Sequence, residues 1–324
     1  MRVDTAACLG KVPTHGDFVR HRASTPTMRA LDQWIRKGLH HARSHRPTQW
    51  EAVYDAAPPR RFLLWRQGAQ VPSVLLGVMA PSRDERDRTY PFIVTCEVPK
   101  HALRPQHSAY LPVRAETFYR DATALAQEAT DGQIPHTDIV ERVDQLDVEL
   151  TVEPSVPHRH KRYLQQETMG PFLEGLFGHF EDSGKYRLFH ALLQALLPLQ
   201  GRPKPRLDYG LQFPLPSDGD VLSNVVSFWM GTVLRVLNFP SAAPSIFWTN
   251  GNAPASTADL LLYVGTPEAR AFFDVLAPTR VEAVCQLGQS RDETNAEAAL
   301  GIPAEYGQLL EREQIRLWDF LRRL

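Results

Sequence analysis

The chain has 324 residues, 43% of them hydrophobic and 23% charged, with a formal net charge of −1. That length supplies a real core for one large domain or two ordinary ones, and the composition excludes a coiled coil or a disordered chain. The near-zero charge removes the electrostatic footprint of a dedicated nucleic-acid binder.

From the N-terminus, "ACLG" reads as a first strand, and the "GKVPTHGDF" after it as a loop in which Gly10, Pro13 and Gly16 break any repeat. Met28, Leu31, Trp34, Ile35, Leu39 and Ala42 then recur at steps of three and four, which predicts a helix over 27–45 with one buried face. The runs "RFLLWR", "SVLLGVMA" and "PFIVTCEV" are short, apolar and bounded by turn residues, so they predict three successive buried strands. Their short links favour antiparallel pairing. "ETFYRDATALAQEAT" has helical spacing through Phe118, Ala122, Leu125 and Ala129, and "DGQIP" stops it.

The segment from Pro154 to about Leu215 changes character, with a basic "HRHKRY", an amphipathic run through Leu192, Leu193, Leu196 and Leu197, and the proline-rich "GRPKPRLDYGLQFPLP". It reads as a mostly helical, peripheral insertion with a linker-like exit. Beyond it, "VLSNVVSFWMGTVLRVL" predicts an apolar helix and "PSIFWT" and "DLLLYVG" two short strands. "TPEARAFFDVL" predicts a helix capped by Thr266 with Pro267 in its first turn. The tail, with Leu309, Leu310, Ile315, Leu317, Trp318 and Leu321 on one side, predicts a single amphipathic helix. The fold class expected is α+β: a central, largely antiparallel sheet flanked by helices, with a helical insertion and the C-terminal region packed on it. The expected division is residues 1–152 as an N-terminal domain and 153–324 as a C-terminal region, made of the insertion at 153–218 and a strand, helix and tail part at 219–324.

The three cysteines, Cys8, Cys96 and Cys285, lack the close spacing of metal or redox sites and are expected as buried free thiols. The start of the chain lacks the apolar stretch of a signal peptide, and no apolar run reaches the ~20 residues that a bilayer requires, so a cytoplasmic protein without membrane insertion is expected. His41 and His45 stand one helical turn apart without a third ligand in sight, and read as a solvated face. "HRHK", His158 to Lys161, reads as a surface basic patch. "GKVPTHGD" matches neither recognised phosphate-cradle order. Ser82, His15 and Asp17 are the residue types of a hydrolase, but Ser82 lacks the G-x-S-x-G elbow. "APSRDERDRTYPF" packs six consecutive charges between two strands, and Arg88 is expected to pair with Asp84 or Asp17 in an exposed bridge of ~0–1 kcal/mol.

"GKVPTHGDFVRH", "LDQWIRKGL", "PPRRFLLW" and "GVMAPSRDERDRTYPFIV" together resemble, in order and spacing, the TagF (ImpM) family of bacterial type VI secretion accessory proteins. Lys11, Pro13, Gly16, Asp17, Phe18, Pro81, Ser82, Asp84, Arg88, Tyr90 and Pro91 fall on the family pattern. The chain departs from it at Asp87, where the family usually has glycine, and at Arg60, where it usually has tryptophan. The resemblance implies a regulator and not an enzyme: a protein that restrains the secretion machine after translation by binding its FHA-domain scaffold. It implies no cofactor, a cytoplasmic location and recruitment to the inner-membrane complex. The alternative is a small hydrolase using Ser82 with His15 or Asp17.

Overall fold

Strand β4 (Ser73–Ala80) is buried at all of its positions, which requires helices on both faces of the sheet it belongs to. The computed structural model describes residues 5–65, 73–99, 105–148, 156–216, 218–238, 244–249, 259–276, 284–286 and 299–324. Its strands are β1 (Ala7–Gly10), β2 (Val19–His21), β3 (Arg60–Trp65), β4, β5 (Phe92–Pro99), β6 (Gly210–Pro214), β7 (Ser245–Thr249), β8 (Asp259–Tyr263) and β9 (Val284–Gln286). They form one sheet in the order β2-β1-β5-β4-β3-β7-β8-β6-β9. Neighbours pair antiparallel except β6 and β9, which run parallel. The fold is α+β, as the sequence predicts.

Alternation along the strands splits the core in two. Leu9, Phe62, Leu75, Met79, Ile93, Phe247 and Leu261 point to one face. That face is covered by α1 (Pro26–His45), α2 (Trp50–Ala56) and, in the C-terminal half, the helix Ala271–Leu276. Cys8, Leu63, Leu76, Val78, Val94, Leu211, Trp248 and Leu262 point to the other. Its cover is α3 (Leu111–Arg114), α4 (Glu116–Thr130), α5 (His136–Asp144), α6 (His158–Gln166), α7 (Met169–Phe177), α8 (Gly184–Leu196) and α9 (Leu222–Leu237). Ala271–Leu276 is α10, and α11 (Ala304–Leu310) and α12 (Leu317–Arg323) complete the second layer. Thr25 caps α1 by accepting the Met28 N–H at 3.2 Å, with Pro26 in the first turn. Gly38 lets α10 approach α1: a Cβ there would sit 2.3 Å from Phe272 Cβ. Among the described residues no helix is long and apolar enough to cross a membrane.

Three expectations are corrected, and one helix is added to those the sequence predicts. The segment 154–215 is not peripheral, because His160, Leu164, Phe172, Leu188 and Leu192 are buried, and its proline-rich exit contains strand β6 inside the sheet. The tail is not one helix: among the described residues, α11 and α12 are separate. Its middle breaks because the Ile315 and Glu313 carbonyls accept the Met169 and Gly170 N–H groups at 2.9 Å each, while Leu317 N–H donates to Glu167 O at 3.0 Å. Trp318 is only half-buried. The helix expected from Thr266 begins at Ala271, after a turn in which Ala271 N–H donates to Glu268 O at 3.1 Å. Helix α2, with Trp50, Val53 and Tyr54 buried, was not expected from "TQWEAVYDA".

Cys8 and Cys96 are buried free thiols, and burial pushes the Cys8 thiol up to about 12. Cys285 lies in β9, and its side chain is outside the described residues.

Candidate functional site

β1 and β5 pair with Leu9 opposite Ile93, so the loop leaving β1 and the loop entering β5 emerge side by side. Gly10 makes this possible: its φ is +152°, and a Cβ there would lie 2.3 Å from the Pro91 carbonyl oxygen. The consequence is that Lys11 reaches the charged loop from below.

Asp84 is the centre of that loop. Its side chain is fully buried, and Oδ2 accepts from Lys11 Nζ at 2.7 Å and from Arg88 Nε at 2.8 Å. Oδ1 accepts the backbone N–H groups of Arg86 at 3.0 Å and Arg88 at 2.9 Å. Burial alone would raise the Asp84 pKa, but the Lys11 amine, the two N–H groups and the Arg88 guanidinium overcome it and hold the carboxyl well below its usual range. The main chain closes around the same residue, with Asp87 N–H on Asp84 O at 2.9 Å and Asp84 N–H on Arg88 O at 3.2 Å. Closing this turn puts Asp87 at φ +61°, a left-handed conformation that glycine takes freely and aspartate tolerates. The departure from the usual glycine therefore leaves a glycine-type backbone in place.

The rest of the loop is pinned from three sides. Tyr54 Oη of α2 accepts the Ser82 N–H at 3.0 Å and donates to the Ser82 carbonyl at 3.1 Å. Arg83 forks onto Asp55 at 3.0–3.1 Å. Tyr90 Oη donates to Asp32 Oδ1 at 2.6 Å, and Arg36 Nε reaches the same oxygen at 2.8 Å. Phe18 stands edge-on to Tyr90 with ring centroids 4.8 Å apart. Lys11, Arg20 and Arg36 surround the Phe18 ring at 5.4, 4.9 and 5.6 Å. Across the gap, Arg88 donates to the Gly16 carbonyl, Glu85 N–H donates to His15 O at 3.3 Å, and His15 stacks on His136 at 4.1 Å.

The signature residues thus come together, in different roles. Lys11, Asp84 and Arg88 form the ionic hub, Phe18 and Tyr90 an aromatic contact, and Gly16 a carbonyl acceptor. Pro81 and Pro91 flank the loop. Pro13 and Asp17 face solvent, and Asp17 accepts the Phe18 N–H at 2.7 Å instead of pairing with Arg88. The expected exposed bridge is corrected: Lys11 and Asp84 have side-chain exposures of 8% and 0%, and only Arg88, at 53%, reaches water. The hydrolase set is not assembled, since Ser82 Oγ is buried without a hydrogen-bond partner while His15 stacks on His136.

His41 and His45 stack at 4.0 Å, with no metal-ligating group of three or more among the described residues. Of the basic "HRHK" patch, His160 is buried and the other three residues are exposed. Arg60 is buried and pairs with Asp259 of β8. Tyr54, Asp55, Arg20 and His136 were not singled out in the sequence. Asp32 and Arg36 lie in the quoted "LDQWIRKGL", and Arg20 in "GKVPTHGDFVRH".

Residues 7–146 match the family described as TagF N-terminal domain, Type VI secretion system-associated. The chain is similar in fold to the crystal structure of PA0076 from Pseudomonas aeruginosa PAO1, with a TM-score of 0.50 and 17% identity over 86% of this chain and 96% of that one. No curated protein matches it.

Proposed function

We propose, from the match of residues 7–146 to the family described as TagF N-terminal domain, Type VI secretion system-associated, that this chain is a post-translational repressor of a type VI secretion apparatus and acts by binding its FHA-domain scaffold. The observation that carries the reading is the Asp84 hub. It locks the loop after β1 to the loop before β5 and leaves Pro13, Asp17, Phe18, Glu85, Arg86 and Arg88 at the surface on a fixed backbone. A rigid, polar surface with a half-exposed aromatic suits protein recognition, because little conformational entropy is lost on docking. The reading requires no cofactor and no catalytic step. It places the protein in the cytoplasm, recruited to the inner-membrane complex through its partner.

The test is affinity capture with the full chain as bait in a cell carrying an intact type VI cluster, paired with a secretion assay. The FHA-domain scaffold should be recovered by the wild-type chain and lost with Phe18→Ala combined with Arg86→Glu, and secretion should rise in parallel. Recovery of the scaffold by the double variant at wild-type yield would move the interface elsewhere on the protein.

A further inference from the structure

A second surface lies on the helical layer over the opposite face of the sheet. α6 and α12 pack against each other, and the link between α11 and α12 is fastened to the α6–α7 junction. The fastenings are the Thr168 and Arg316 bridge and the backbone bonds of Glu313, Ile315 and Leu317. The link is therefore held as firmly as a strand. Together with α12 it lines an open hollow of about 510 Å³, with Arg312, Arg316 and Arg323 around it, Ile315 as its apolar part, Gln314 as a neutral polar group, and Glu313 and Asp319 as its acids.

The charge of this region is far from that of the chain. Residues 158–168 and 311–323, which are α6, its junction with α7, the link and α12, together hold seven Lys and Arg against four acids, in a protein whose net charge is −1. Lys161, Arg162, Arg312, Arg316, Arg322 and Arg323 are all exposed, and among the described residues none of them is in an ion pair or a side-chain hydrogen bond. Arg83, Arg88, Arg142 and Arg270 elsewhere on the surface are all paired. A cluster of unpaired like charges costs folding energy by self-repulsion, and it raises the local concentration and on-rate of an anionic partner.

The surroundings decide among anionic partners. Single-stranded nucleic acid is held by stacking on aromatic platforms, and no aromatic residue lines the hollow. Docking on an anionic bilayer requires apolar side chains that enter the headgroup region, and Leu300 is the one exposed large hydrophobic among the described residues. A concave, arginine-rimmed hollow with a small apolar part matches an extended chain carrying carboxylates, which arginine forks grip in pairs. We infer that the hollow formed by α12 and the link before it docks a segment of a partner protein rich in aspartate and glutamate. This inference does not rest on the FHA-scaffold reading, because it concerns a different surface.

The experiment titrates a fluorescent polyglutamate decamer onto the full chain and follows anisotropy at low and at physiological salt. An oligo-dT strand and phosphatidylserine vesicles serve as the other two probes. Saturable peptide binding that weakens as salt rises is expected, with the R312Q/R316Q/R323Q variant weakened roughly tenfold or more. Arg120→Gln, an exposed arginine on α4, should leave binding within about twofold. Glu313→Gln, which removes an acid from the hollow, should tighten it. Circular dichroism of each variant reports that the fold is kept. No peptide binding, equal binding by the triple variant, or tighter binding of the strand or the vesicles than of the peptide would each overturn the inference.

Discussion

Lys11 and Asp84, 73 residues apart in the chain, form a buried ion pair of 2.7 Å at the place where the loops after β1 and before β5 meet. Removing one member of such a pair leaves the other charge buried and uncompensated. Asp84→Ala should therefore cost ~3–5 kcal/mol, read from urea unfolding. Arg88→Ala removes a half-exposed guanidinium and should cost only about 1 kcal/mol. The Lys11→Met change combined with Asp84→Ala should cost less than the two single changes added. Equal losses for Asp84→Ala and Arg88→Ala would mean that Lys11 is not the principal brace.

Ser82 and Tyr54 make opposite predictions although they touch. The Ser82 hydroxyl is buried and makes no hydrogen bond, so Ser82→Ala should leave stability unchanged or slightly raised, and repression of secretion intact. A fluorophosphonate probe should not label the protein. Tyr54→Phe strips partners from both the N–H and the carbonyl of Ser82 and should cost about 1–3 kcal/mol by thermal or chemical unfolding. Labelling of Ser82, or loss of repression in Ser82→Ala with the fold intact, would reinstate a catalytic serine.

His160 ties stability to pH. Burial lowers its pKa from 6.5 to about 4, against a smaller opposing effect of the Asn224 side chain 3.2 Å away. The unfolded chain thus binds a proton between these values that the folded chain refuses. The stability is complete above pH 6.5 and is lost as pH falls toward 4. The loss is on the order of 3 kcal/mol. In His160→Phe the unfolding free energy should be flatter across this interval, and an unchanged slope would remove His160 as the cause.

Asp87 reports on backbone geometry. At φ +61° a β-branched residue is strained, so Asp87→Val should cost ~1–2 kcal/mol, whereas Asp87→Gly should be tolerated. The Arg83–Asp87 bridge contributes little to this difference, because Asp87 is 81% exposed. A silent Asp87→Val would show that the loop relaxes around the substitution.

The parts of this structure that were legible in the sequence are those fixed by local pattern. β3, β4 and β5 follow from apolar runs between turn residues, and α1 from the spacing of Met28, Leu31, Ile35 and Leu39. The break before α12 was not legible, because the groups that interrupt the tail are backbone atoms of residues 167–170, far away in the chain. The short α2 carries too few apolar positions to show a period, and its Tyr54 gains its role only through Ser82. At the site, the charges of "RDERDR" announce a polar loop, yet nothing local says that Asp84 is its buried member. That follows from β1 pairing with β5, which brings Lys11 underneath.

Strand β3 pairs with β4 on one side and with β7 on the other, Phe62 opposite Phe247. A fragment ending at residue 146 would keep the first pairing and lose the second, turning an interior strand into a sheet edge with a row of open N–H and C=O groups. It would also leave Arg60 without Asp259 on what had been the inside. Such an edge recruits other strands, so the stretch of chain that shares family likeness is expected to need the β7 and β8 part to close its sheet. Expressed alone it should form oligomers or precipitate, and its solubility should return when a segment carrying β7 and β8 is supplied in trans.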